Sequence, residues 1–153
     1  MGGFLLSKTC YSQKNYLPGY VITLTGDTVH GHIDYRNWDK NPKLISFKPS
    51  AGDEIIQYPV TGIKKFLVLD EMYESAIVRA ETSPYQFDQL DFDKELKFRT
   101  DTIFLQALIE GEKSLYYYKD KNAKEHFYIK SGQELELLVY KKYLREEDGK
   151  DLI

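Results

Sequence analysis

The stretch that decides the fold is Tyr20–Trp38, YVITLTGDTVHGHIDYRNW. Gly26-Asp27 is a Gly-first pair of the kind found in two-residue II′ connections, whose twist suits the right-handed twist of flanking strands. With those two residues as the loop, Thr25 faces Thr28, Leu24 faces Val29, Ile22 faces Gly31 and Tyr20 faces Ile33. Side chains alternate along a strand, so Ile22, Leu24, Val29, Ile33 and Tyr35 are expected on the core face. Thr23, Thr25, Thr28, His30, His32 and Asp34 are then expected outside.

Outward from this hairpin the chain reads as a succession of strands. Pro18-Gly19 marks a bend before it, and Arg36 to Pro42 is a polar connection holding the single Trp. Leu44 to Lys48 and Glu54 to Tyr58 read as strands around a turn at 49–53, and Pro59 to Gly62 interrupts the second. Lys64 to Leu69 and Met72 to Ala80 form a hairpin around Asp70-Glu71. Residues 81–100 loosen into a long excursion, expected to fold back through Tyr85, Phe87, Phe92 and Phe98, with a short strand at Leu96 to Phe98. Thr102 to Glu110 is nearly continuously apolar from Ile103, as expected of a strand covered on both faces. Ser114 to Lys119 and Glu125 to Lys130 complete a meander.

The segment 131–153 carries two patterns. Ser131 with Glu134 resembles a helix capping box, whereas Leu135, Leu137 and Val139 alternate and Asp148-Gly149 suits a hairpin turn. The strand reading is preferred, with the chain ending in mid-hairpin.

These elements predict a mainly β fold: an antiparallel sandwich or partly closed β-roll built from hairpins, of nine or ten strands, with little helix. The 153 residues are enough for one domain with its own core. Residues 1–13 read as a disordered leader or signal-peptide remnant, and 14–153 as a single β domain. The lone cysteine, Cys10, excludes an internal disulfide and a cysteine-based zinc site. A net charge of −3 gives no general pull toward nucleic acid or anionic membrane. No apolar run reaches the ~18 residues of a membrane span. The bias is aromatic, with 13 Tyr and 8 Phe against one Trp.

Four constellations carry chemistry. His30 and His32, at i and i+2 on one strand face with Asp34 next in line, have the donor types and spacing for a divalent metal, with His126 as a third imidazole; a metal-dependent hydrolase is the enzyme class this implies. An exposed, cross-strand-paired polar face explains the same residues. Asp88, Asp91, Asp93 and Glu95 offer oxygens for calcium but lack the glycine and terminal glutamate of an EF-hand, and read as a solvated acidic loop. Tyr116, Tyr118 and Tyr128 supply aromatic surface for a sugar or protein partner, or else core packing. Lys119, Lys121, Lys124 and Lys130 around those tyrosines fall short of a nucleic-acid platform. No nucleophile elbow, HExxH, Walker loop or dinucleotide fingerprint is present. No cofactor is implied, and the composition leans away from an enzyme toward a non-catalytic binding or structural module, with a protein or glycan partner.

Two blocks, GYVITLTGDTVHGHIDYRNWDKNPKLISFKP and FLQALIEGEKSLYYYKDKNAKEHFYI, carry a resemblance. Together with the I-x-x-F segment at Ile63 to Phe66, they resemble the N-terminal domain of a family of uncharacterised exported proteins of Bacteroidetes-type bacteria. The resemblance covers most of Gly19 to Ile129. It implies export to the periplasm, outer-membrane surface or medium, and a leader ending just before QKNYLPGY. It also implies that relatives run on past Ile153. It brings no catalytic residues with it.

Overall fold

The protein, seen as a computed structural model, is described over residues 15–147 and 150–152. Among the described residues twelve strands run in chain order: β1 Tyr16–Thr23, β2 Thr28–Asp34, β3 Leu44–Pro49, β4 Ile56–Pro59, β5 Ile63–Val68, β6 Glu71–Glu81, β7 Phe98–Ile109, β8 Lys113–Lys119, β9 Glu125–Ser131, β10 Glu134–Leu138, β11 Arg145–Glu147 and β12 Lys150–Leu152. Among the described residues the only helical pieces are 3₁₀ turns at Val60–Gly62 and Phe87–Gln89. The first ten strands form one antiparallel sheet in the order β10-β9-β8-β7-β6-β5-β1-β2-β3-β4, and β11 pairs only with β12. The mainly β, partly closed roll is therefore what the chain builds. The expected leader and the Asp148-Gly149 turn lie outside the described residues.

The sheet curls twice, in opposite senses. β4 and β5 stand at opposite ends of the run β5-β1-β2-β3-β4, yet only Val60–Gly62 separates them in sequence. The run must therefore bend round on itself into a first roll. β10 likewise comes back against β6, which makes a second roll of β6–β10. The register shows that the two rolls curl to opposite sides. On β6 and β7, Tyr73 and Phe104 belong to the first core, while Val78, Ala80, Ile103 and Leu105 belong to the second. Odd and even positions of a strand point to opposite faces, so β6 and β7 form a common wall with one core on each side. The apolar run expected to be covered on both faces is so at Ile103, Phe104 and Leu105; Leu108 and Ile109 beyond it are exposed.

Aromatic packing dominates the first core. Phe66 stacks on Tyr73 with centroids 4.7 Å apart and meets Phe104 edge-on at 5.0 Å. Trp38, carried by the 35–43 connection, packs edge-on against Tyr35, Phe66 and Tyr73. Close backbone approach is possible where Gly19 faces Gly31 across β1 and β2. A Cβ on Gly31 would lie 2.2 Å from the Lys48 carbonyl oxygen and 2.7 Å from the Phe47 ring, so this roll is tight because the side chain is missing.

The opening hairpin differs from its expected register. Ile22 pairs with Thr28, Val21 with Val29 and Tyr20 with His30, so the loop is Leu24–Asp27 rather than two residues. Thr23 causes the difference: its main chain bonds Gly26 and Asp27, its hydroxyl accepts from the Asp27 amide, and Gly26 takes φ of 97°. An odd shift exchanges the faces of one strand. Val21 enters the core in place of Ile22 and Leu24, and Leu24 is left 57% exposed.

The segment 134–138 is a strand, so the capping-box pattern does not produce a helix. Its Leu135 and Leu137 pack on the second core. Residues 82–97 form the excursion, narrower than expected because β6 runs on to Glu81 and β7 starts at Phe98. It is anchored by polar contacts rather than by its aromatics. Thr82 N donates to Lys97 O at 2.7 Å and the Tyr85 hydroxyl to Asn122 O at 3.1 Å, while Phe87 and Phe92 are exposed.

Candidate functional site

The residues singled out in the sequence are not brought together as expected. His30 and His32 are exposed on β2, with the His30 ring edge-on to Tyr20 at 5.6 Å. Asp34 does not join them, because it is buried at the strand end. One of its oxygens accepts from Asn15 N at 3.1 Å and the other from the Arg36 guanidinium at 2.6 Å. His126 lies in the second roll, buried against Asp120 at 3.1 Å. Among the described residues no group of three His, Cys, Asp or Glu side chains could hold a metal ion. In the acidic excursion, Asp91 and Asp93 accept backbone N–H groups two residues on.

The tyrosines offered as surface are core. Tyr116, Tyr118 and Tyr128 are each less than 5% exposed, so the sugar-stacking and partner-surface roles expected of them are corrected to packing. Each hydroxyl has an internal acceptor: Glu74 for Tyr116 at 2.7 Å, Asp101 for Tyr118 at 3.1 Å and the Arg79 carbonyl for Tyr128 at 3.1 Å. Burial, with the neighbouring carboxylate, raises the Tyr118 hydroxyl to about 12. These three tyrosines are thus used internally, each with its polar end bonded inside the fold.

Beside these rings lies a set of buried ionisable groups that the sequence did not single out as a group. The Lys124 ammonium bonds the Glu81 carboxylate and donates to Ser83 O at 2.7 Å; both charged side chains are less than a tenth exposed. Asp120 accepts from the backbone N–H of Asn122 and Lys124 through one oxygen. It faces His126 through the other, and Arg99 approaches the same oxygen at 3.9 Å. Burial alone pushes the Glu81 carboxyl up, but hydrogen bonds from Lys124 and Ser83 outweigh it and hold the group below its ordinary range. Asp120 is held low in the same way: burial is overcome by His126 and two backbone amides. Every partner in this set is already engaged by another, which suits anchoring the excursion and the 120–124 turn better than turning over a substrate. The sequence signal was the D-x-N-x-K pattern of Asp120–Lys124, an Asx-type turn whose Asp accepts main-chain N–H groups.

Asn41 is a further residue that sequence reasoning missed. β7 and β8 pair only between Gln106 and Ile109, and beyond that point the Asn41 amide fills the gap. It donates to Phe104 O at 2.8 Å and Tyr117 O at 3.0 Å, and accepts from Lys119 N at 3.0 Å. A side-chain amide thereby takes the place of a peptide unit and ties the first roll's connection to the second roll.

The unmet valence of the fold lies at the seam of the second roll. β5 pairs with β6 only as far as Glu74, so over residues 76–81 β6 has β7 on one side and, among the described residues, no strand on the other, where the Arg79 carbonyl accepts only from the Tyr128 hydroxyl. Among the described residues β10 is an edge too, paired with β9 alone. Between these edges opens a cleft of about 380 Å³ lined by Ile77, Val78, Phe98, Leu135, Leu137 and Val139, with Tyr128 and Arg79. Ile77 is 73% exposed and the Arg79 guanidinium sits 4.4 Å over the Phe98 ring. Two unpaired edges beside an apolar cleft are a template for another strand, and natural sheets usually blunt such edges. The chain matches no protein-family model, no curated protein and no solved structure, so the site is read from its geometry alone.

Proposed function

We propose that the chain is a non-catalytic binding module of the bacterial cell envelope, and that it works by accepting an extended segment of a partner protein into the seam between β6 and β10. The observation that carries this reading is the pair of facing, unpaired strand edges across an apolar cleft. Main-chain bonds to a sheet edge supply affinity in such complexes, and pockets for alternate side chains supply specificity. The edges also say what the segment carries. Val78, Leu135 and Leu137 meet its inward residues, which are aliphatic. Glu134 and Glu136 stand exposed on the outer side of β10, so basic residues at alternate positions complement them. Export and the Bacteroidetes-type origin rest on the resemblance across Gly19 to Ile129. Among the described residues, no helix is long and apolar enough to cross a membrane.

The test is binding of a peptide that alternates Val or Ile with Lys, followed by fluorescence anisotropy. Two controls accompany it: a scrambled peptide of the same composition and one whose alternate backbone nitrogens are methylated. The alternating peptide is expected to bind, and either control or the variant Ile77→Asp to weaken binding about tenfold or more. Equal binding of the methylated peptide would remove strand addition from the account.

A further inference from the structure

A second cavity, independent of the seam, lies where the excursion meets the turn after β8. Its volume is about 360 Å³, and Thr82, Ser83, Pro84, Tyr85, Gln86, Gln89, Asp120, Asn122 and Lys124 line it. We infer that this pocket is a binding site for a neutral saccharide of single-ring size.

The size sits at the small end of the range for ligand pockets, roughly 300–1,000 Å³. The chemistry narrows the class further. The ionised groups of the floor are matched in place: Lys124 with Glu81, and Asp120 with His126 and Arg99. A charged ligand entering here meets no uncompensated countercharge and loses its hydration, which is costly in a recessed site. An apolar ligand would cover polar lining groups without bonding them, which is also unfavourable. The side-chain amides of Gln86, Gln89 and Asn122 remain, all on exposed residues. Each offers an acceptor and two donors, the pairing that vicinal hydroxyls require. Tyr85 is an aromatic residue of the pocket wall, and its hydroxyl donates to Asn122 O at 3.1 Å. That bond also joins the two walls of the pocket. The sugar-recognition chemistry considered for Tyr116 and Tyr118 is therefore assembled elsewhere, on the excursion and the turn.

The experiment is an amide chemical-shift titration of the ¹⁵N-labelled protein with galactose, mannose and N-acetylglucosamine at millimolar concentrations, alongside galacturonate, glucosamine and inorganic phosphate. At least one neutral sugar is expected to move the resonances of residues 82–89 and 120–124 in a saturable way, with the charged probes weaker. The triple variant Gln86→Ala/Gln89→Ala/Asn122→Ala changes exposed side chains only, and it is expected to weaken the response about tenfold or more. Ile77→Asp, which blocks the seam, should leave it unchanged. Absence of a saturable shift with every neutral sugar, a stronger response to a charged probe, or full binding by the triple variant would each overturn the assignment.

Discussion

The two rolls share a wall, but they solve the problem of the sheet edge differently. The first returns β5 to β1 and pairs it there from Thr23 to Gly19, so only β4 is left as its outer edge. Its core is one apolar cluster, in which Phe66, Tyr73 and Phe104 pack together with buried Val21, Ile33, Ile45 and Phe47. The second brings β10 back to β6 without pairing it, and buried Glu81, Asp120, Lys124 and His126 lie beside its core. A roll with a wholly apolar core gives stability, whereas one with matched buried charges and two edges meeting at an apolar seam keeps backbone groups and a cleft available. The first roll is the scaffold and the second carries the sites.

The sharpest way to break the comparison is to open the first roll. Gly31→Ala sets a Cβ against the Lys48 carbonyl and the Phe47 ring, neither of which can retreat without moving a strand. The expected cost is at least about 3 kcal/mol, at the upper end for overpacking, visible as a large fall in the denaturant midpoint.

In the second roll the comparable injury is electrostatic. Lys124→Met leaves the Glu81 carboxylate buried and unpaired, at an expected cost of about 3–5 kcal/mol. The double variant Glu81→Leu/Lys124→Met should recover much of that loss, because removing a buried pair is far cheaper than breaking it. Equal instability of the single and double variants would mean that packing, not charge pairing, holds this end together.

Asn41→Ala tests the tie between the rolls. It leaves two carbonyls and one N–H without their partner, and about 2–3 kcal/mol is expected to be lost. Chemical denaturation followed separately by Trp38 fluorescence and by far-ultraviolet dichroism shows whether the rolls then unfold apart.

The smallest effect is that of pH. Glu74, Glu81 and Asp120 in the second roll all have lowered carboxyl pKa values, through hydrogen bonds that outweigh burial. A lowered folded-state value means that their contribution is complete above the unfolded-state range, about pH 4, and is lost as pH falls through the folded values below it. Acid titration followed by NMR should therefore loosen residues of β6, β8 and β9 before those of β1 and β2. Loss of both rolls at one pH would contradict the assignment.

Much of this was legible in the chain and some was not, for physical reasons. Alternation placed β2, β3, β5, β8 and β9 close to where they lie, because each has one buried face. The opening hairpin misled because Gly26-Asp27 carries a two-residue signal, while the hydroxyl and main chain of Thr23 hold a longer loop. Asp34 looked available beside His30 and His32; the amide of Asn15 and the guanidinium of Arg36 that claim it cannot be ranked by spacing. Alternation along β8 puts Tyr116 and Tyr118 on one face, but whether that face is inside depends on the second roll curling over it. The seam was invisible because it arises from where β5 stops pairing, which only the register reveals. The polar pocket and Asn41 join segments up to 78 residues apart, beyond the reach of any local pattern.

Native-state amide hydrogen exchange on the intact protein, with and without the alternating Val/Lys peptide, tests the central claim most directly. The account predicts that core amides of β1, β2 and β5 exchange only through global unfolding. Amides on the open edges of β6, over residues 76–81, and of β10 should exchange fast in the free protein and slow markedly when the peptide is bound. Equal protection of both rolls in the free protein, or a bound peptide that leaves the β6 and β10 edges unprotected, would contradict it.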